Sequence, residues 1–353
     1  MRKLKYIGWM TSPNYQIPNE AGYTEKDFWR LLNEMSDNGM NFLSLHMESQ
    51  SYYDPRHDGL AWPPRNSRLK PLIDKNCLNA HLKSEFLSHI IPKAQERGIV
   101  CQLMINSLWW SSPDRLRTQY PGFKYQKTRS GEEARFACCP DNRDSWEFCK
   151  DEVADLVKYG TDFGVNIYGI ETLSYCSSCC FCEDTRRVFR EKFDVNLDAP
   201  PYELAILRSL RIQELLTEIV EIVKGINPQA ELWLHTMGSP GWGHLPNSLR
   251  KAGIPVLMPH IFHSPRFESE KHLNALLDYL APIPCVLHCC VRSKMPLNYG
   301  WSKKPQDIMQ LVEWISKSPS ANLCGVMFYN ETAVSAENRR AIYEGVRLLK
   351  NRE

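Results

Sequence analysis

Glu171 directly follows the apolar run Ile167-Tyr-Gly-Ile170. A carboxyl at the end of a buried strand, among apolar neighbours, has its pKa raised, and that suits a general acid. Glu331, after Phe328-Tyr-Asn330, and Glu48, after His46-Met47, occupy comparable positions. An ion pair with a nearby arginine is the competing role for Glu171 and Glu331. Glu48 is the weakest candidate of the three.

Four of the ten histidines, His46, His235, His260 and His288, also close short apolar runs. Asn106, Trp109 and Trp110 follow another such run, Arg292 follows His288, and Asn330 precedes Glu331. Trp9, Trp242 and Trp301 stand in similar places. Indole faces stack on the C–H faces of sugars while imidazole, amide and guanidinium groups meet the hydroxyls. Indoles are equally good core residues. The expected substrate-binding set is therefore His46, Glu48, Asn106, Trp109, Trp110, His235, His260, His288, Arg292 and Asn330.

Cys176, Cys179, Cys180 and Cys182 fall within seven residues, and Cys138-Cys139 lie upstream. Closely spaced thiols supply several ligands to a tetrahedral zinc ion. Adjacent cysteines cannot all face one ion. The expected set is Cys139, Cys176, Cys179 and Cys182, with Cys180 or Cys138 as substitutes. A site with sulfur ligands alone has no open position, so the zinc would be structural, pinning loops beside Glu171, and catalysis would require no cofactor. Unliganded reduced thiols are the alternative. A redox role is weaker, because the run opens no helix of a thioredoxin-like unit. Cys289-Cys290 sit in an apolar run and read as core.

The elements that must carry these residues alternate from end to end. Strand-like runs at Tyr6–Met10, Phe42–Met47, Ile99–Ile105, Ile167–Thr172, Leu232–Thr236, Val256–Phe262, Cys285–Val291 and Gly325–Tyr329 are short and apolar. Between them, helix-like periodicity predicts helices at Lys26–Asn38, Leu82–Arg97, Ser145–Tyr159, Thr185–Phe193, Tyr202–Ile226, Lys271–Leu280 and Pro305–Ser316, with a short one before the sixth strand and a last one at Ala336–Leu349. Gly39 and Gly98 are natural helix stops. Eight βα units without a composition break predict a single α/β domain over residues 1–353. The expected architecture is a (β/α)8 TIM barrel with enlarged βα loops, whose functional residues gather at the C-terminal ends of the strands. No glycine-rich phosphate loop follows the first strand, which counts against the doubly wound alternative.

The 353 residues include 43 Lys and Arg and 41 Asp and Glu, a net charge of +2. That balance offers no electrostatic footprint for nucleic acid or an anionic membrane. No run approaches the roughly 18 apolar residues of a spanning helix. The basic N-terminus has too short an apolar stretch for a signal peptide. A cytoplasmic location is expected, where the thirteen cysteines would be free thiols or metal ligands. The expected partner is a small carbohydrate, with no nucleic acid or membrane, and a homo-oligomer stays open.

A strand-four carboxylate in Gly169-Ile-Glu171, the cysteine run, the helix Phe189-Arg-Glu-Lys-Phe193 and the upstream Cys139-Pro-Asp-Asn142 together resemble the zinc-bearing family-42 β-galactosidases and related barrel glycosidases. The resemblance covers residues 136–194. It implies that Glu171 is the acid/base. The family has Asn before that glutamate, where this chain has Ile170. The family's nucleophile is a glutamate on the seventh strand, where this chain offers His288 and Arg292. The resemblance therefore implies glycosidic hydrolysis by Glu171 with a second carboxylate from elsewhere, Glu331 being expected and Glu48 the reserve, and the retaining mechanism is not carried over. A divalent-metal sugar isomerase using Glu171, His260 and Glu331 is the second reading, with His235 standing where that group has an aspartate. A non-catalytic carbohydrate-binding barrel is the third.

Overall fold

The structure is a computed structural model. It describes residues 3–11, 25–49, 59–74, 86–108, 110, 113–171, 173–176, 179–236, 242–261, 269–293, 302–329 and 331–351. Trp109, Trp301 and Asn330 lie outside the described residues, as do Thr172, Phe262 and the expected helix start at 82–85.

Eight parallel strands close into a barrel, each paired with its neighbours in sequence. They are β1 (Tyr6–Thr11), β2 (Phe42–His46), β3 (Val100–Ile105), β4 (Ile167–Ile170), β5 (Glu231–Thr236), β6 (Leu257–Pro259), β7 (Cys285–Cys290) and β8 (Leu323–Tyr329). The ring shuts where β1 runs beside β8, from Tyr6 opposite Gly325 to Met10 opposite Tyr329. Strands covered on both faces read as continuous apolar runs, and β1, β2, β4 and β7 are buried along their whole length.

Ten α-helices are described: α1 (Glu25–Asp37), α2 (Phe86–Glu96), α3 (Pro113–Gln119), α4 (Arg143–Thr161), α5 (Glu183–Phe193), α6 (Pro201–Ile226), α7 (Pro246–Lys251), α8 (Glu270–Leu280), α9 (Pro305–Lys317) and α10 (Ala336–Lys350). Side chains of Asn142, Cys182, Ser269 and Ser335 cap α4, α5, α8 and α10 by accepting backbone N–H bonds. Gly39 and Gly98 adopt φ of 72° and 70° just beyond α1 and α2, the left-handed turn that stops a helix.

Side chains alternate along a strand, so every second residue enters the barrel. Tyr6, Phe42 and Trp233 form its floor; Phe42 and Trp233 stack with ring centroids 5.5 Å apart. Above them Ser44 donates to Gln102 at 2.7 Å, and Gln102 donates to the sulfur of Met258 at 3.4 Å. The same alternation continues upward through Phe42-Ser44-His46, Gly169-Glu171, Trp233-His235, Met258-His260 and Val286-His288. Polar ends therefore follow apolar floors on one face of each strand.

The enlarged loops hold more structure than the sequence predicted. Between β3 and α4 lie α3 and an antiparallel hairpin, Tyr125–Lys127 with Glu133–Cys138. After β2, Glu48–Ser49 pairs with Gly59–Leu60, and a 3-10 turn follows at Lys70–Leu72. That segment is tied to α4 by Asp155, which accepts from the Trp62 indole at 2.9 Å and from the backbone N–H groups of Arg65 and Asn66 at 2.9 and 2.7 Å. β6 is shorter than expected. Pro259 has no N–H for a ladder, and the expected end at Phe262 falls outside the described residues.

Candidate active site

Glu171 stands immediately beyond β4, its backbone N–H bonded to the carbonyl of Ile105 at 2.8 Å. Its side chain keeps 20% of its surface, so it stands at the rim of the barrel rather than in the core. Burial and then the charge of Glu48 push its pKa up to about 8, well above the ordinary carboxylate range. Such a group holds its proton at neutral pH. The Nδ1 of His260 lies 3.6 Å from its Oε1.

Glu48 follows β2 and is fully buried. It accepts the backbone N–H of Asn106, and His46 Nε2 stands 3.9 Å from its Oε2. The Asn106 side chain hydrogen-bonds His46. Burial and the Arg292 guanidinium pull the His46 pKa down to about 4, so the ring is neutral. Glu48 also interacts with Glu152, whose carboxyl is raised well above its usual value by burial and the Glu48 charge.

His235, His260 and His288 come from β5, the end of β6 and β7. Ring centroids are 4.1 Å apart for His260 and His288, 5.4 Å for His235 and His288, and 5.9 Å for His235 and His260. Burial and the neighbouring His46 depress the His235 pKa to about 3. His288 meets the edge of Tyr329 at 5.0 Å, and the buried Arg292 lies over that tyrosine ring at 4.3 Å and donates to its hydroxyl. Six strand ends thus deliver Glu48, His46, Asn106, Glu171 and the three imidazoles to one mouth.

Two expected members do not join them. Glu331 opens a 3-10 turn after β8 and pairs with Arg339 of α10. Arg339 also binds Glu34 of α1 at 2.9 Å and lies over the Trp9 ring at 5.7 Å, outside the barrel wall. The carboxylate whose charge reaches Glu171 is that of Glu48. The alternation that aims side chains inward ends with the strand, and the turn swings Glu331 toward the helices. Trp110 packs edge-on against Phe148 of α4 at 5.3 Å and is buried there, because the β3 loop folds its hairpin over it. Trp9 is likewise core, against Phe328 at 5.8 Å.

Among the cysteines, Cys139, Cys180 and Cys182 gather, with their sulfurs within 4.8 Å of one another. Cys139 lies 3.4 Å from Cys182 and 3.9 Å from Cys180. Ligand sulfurs of a tetrahedral zinc are about 3.8 Å apart, so the three fit. Cys180 takes the place expected for Cys179. Cys179 forms an antiparallel bridge with Thr128, and the Cys180 thiol is the one that faces Cys139. Cys176, half-buried, lies outside the trio; burial pushes its pKa up, and the nearby Cys179 and Cys180 add to that. Donors from Cys139 and Cys180 favour the thiolate of Cys182, the α5 cap. The buried Arg208 guanidinium feels the Cys180 and Cys179 sulfurs, so anionic ligands there would balance it.

Neither the models of protein families nor the curated proteins match this sequence. Solved structures do match it. The glycoside hydrolase domain of PgaB (BpsB) from Bordetella bronchiseptica superposes with a TM-score of 0.68 at 12% identity, covering 99% of each chain. A β-galactosidase from the psychrophilic Marinomonas ef1 gives 0.66 at 12% identity over 97% of this chain and 59% of its own. Gan42B, a GH42 β-galactosidase, gives 0.63 at 11% over 98% and 56%. The barrel is one that solved glycoside hydrolases share. The chain spans the whole of the PgaB domain and less than three fifths of the β-galactosidases.

Two site residues escaped the sequence reading. Glu152 was hidden within α4, though it falls on the stripe Cys149-Glu152-Val153-Leu156, and a carboxyl on an apolar stripe is itself a signal. His244 bridges the loops after β4 and β5, its Nε2 3.0 Å from the Leu173 carbonyl and its Nδ1 2.8 Å from the Thr236 hydroxyl. Nothing in its local sequence marks it.

Proposed function

We propose that the chain hydrolyses a glycosidic bond, with Glu171 protonating the leaving oxygen and Glu48 as the second carboxylate. The observation that carries this reading is the meeting of the two carboxyls at the barrel mouth, where burial and the Glu48 charge keep the proton on Glu171. The Glu48 carboxylate that would attack carbon or activate water also adds to the burial that keeps the acid protonated. His46, Asn106, Arg292 and Tyr329 line the same end and suit sugar hydroxyls. The names of the structural neighbours, a PgaB glycoside hydrolase domain and β-galactosidases, support the reaction class.

Cys139, Cys180 and Cys182, with Cys176 nearby, would hold a zinc ion that ties the loops after β3 and β4 together beside Glu171. Bound there, zinc supplies cross-linking and no catalytic chemistry. Free cysteines throughout the described chain fit a reducing compartment, the cytoplasm. No helix among the described residues is long and apolar enough to cross a membrane.

The isomerase reading needs Glu171, His260 and Glu331 on one ion. His260 is near Glu171, but Glu331 is held by Arg339, which weighs against it. The deciding experiment screens alkyl and aryl glycosides with the wild type, Glu171→Gln and Glu48→Gln. Turnover that depends on both carboxyls supports the proposal. Sugar binding by calorimetry without turnover would point to a binding barrel instead.

A further inference from the structure

We propose that His235, His260 and His288 bind a divalent transition-metal ion of the zinc class at the barrel mouth, leaving one coordination position open on the side of Glu171. Three consecutive barrel strands aim one imidazole each at the same point, and one nitrogen from each ring lies within 4.8 Å of the others. Ligand nitrogens of tetrahedral zinc stand about 3.3 Å apart, so small rotations of the rings close the set. All three side chains are buried.

His235 supplies the independent observation. Neither of its ring nitrogens has a hydrogen-bond partner among the described residues, although the residue is 1% exposed. Leaving such a nitrogen unsatisfied destabilises the fold, and a bound cation would offset that loss. Gly169 makes room for this ring, since a Cβ there would stand 2.9 Å from His235 Nε2. The space on β4 is thus kept open for an imidazole with no partner of its own.

The donor set decides the class of ion. Three imidazoles suit zinc, cobalt, nickel or copper, whereas magnesium and calcium want oxygen. Three ligands rather than four are the pattern of a site that keeps a place for water or substrate. Glu171, 3.6 Å from His260, borders that place. A substrate hydroxyl or a water would fill the open position. The hydroxyl role rests on the glycosidase reading, and the metal site itself does not.

The test uses the full chain, stripped with chelator and titrated with Co²⁺. Expected is one equivalent with visible d–d bands and no sulfur-to-cobalt charge transfer, separate from any thiolate-bound ion. His235→Ala and His288→Asn should each weaken that equivalent by more than about 100-fold, beyond the loss typical of a residue behind the ligands. Cys182→Ser should retain it. Circular dichroism checks the fold of each variant. X-ray absorption on wild-type protein needs no variant and should show imidazole scattering. Sulfur ligation alone, or unchanged uptake in both histidine variants, would overturn the proposal. No glycoside enters these measurements, so their failure is distinguishable from failure of the hydrolase reading.

Discussion

At the scale of single residues, the proposal depends on where one proton sits. Burial alone opposes charge on Glu171, and Glu48 adds a like charge. General acid catalysis matters in proportion to how poor the leaving group is. Glu171→Gln should lower kcat/KM by about 10²–10⁴-fold for alkyl or sugar leaving groups and much less for activated aryl ones. Equal losses across the series would remove Glu171 from the acid role. The raised pKa also fixes a direction with pH. In protein freed of metal by chelation, activity should fall as pH rises through about 8, because Glu171 then gives up the proton it must donate. A pH–rate profile on a glycoside with a poor leaving group reads this limb.

At the scale of elements, α4 and β4 position the site. α4 buries Asp155, which anchors the segment beyond Glu48, and one turn earlier buries Glu152 against Glu48 itself. Glu152 is protonated more readily in the folded than in the unfolded chain. Its penalty is therefore absent below the unfolded value and grows as pH rises toward the folded one. Glu152→Gln should stabilise the protein, by a larger margin at pH ~8 than at pH ~5, as read from urea midpoints. On β4, Gly169→Ala puts a Cβ 2.8 Å from that of Met104 and 2.9 Å from His235 Nε2. Overpacking of this kind costs about 1–3 kcal/mol, and the His235 ring should shift. Denaturant unfolding together with the imidazole NMR signals would show both effects.

Across the whole molecule, the last βα unit must lock onto the first. The β1–β8 ladder closes the ring from inside, and Arg339 closes it from outside by joining Glu331 to Glu34, with the Tyr343 hydroxyl donating to Glu34 at 2.7 Å. Glu331 is nearly inaccessible, so removing its cation strands a buried charge. Arg339→Ala should cost about 3–5 kcal/mol, measured by equilibrium unfolding. A loss below about 1 kcal/mol would mean that the pair is solvated and that Glu331 is free to serve elsewhere.

Much of this was legible in the residues. Apolar runs at eight places, with helical periodicity between them, determine a parallel barrel, because a strand covered on both faces must be apolar throughout. The polar residue ending each run then marks the mouth, and His46, Glu171, His235, His260 and His288 all fall there. Tertiary structure decided the matters that lie beyond the strand ends. Whether Glu331 or Glu48 accompanies Glu171, whether Cys179 or Cys180 faces Cys139, and whether Trp110 meets solvent or Phe148 each depend on how a loop turns. Inside a strand, two-residue alternation fixes direction from sequence alone. Past its last ladder bond that constraint disappears, and distant partners such as Arg339, Thr128 and α4 choose the orientation.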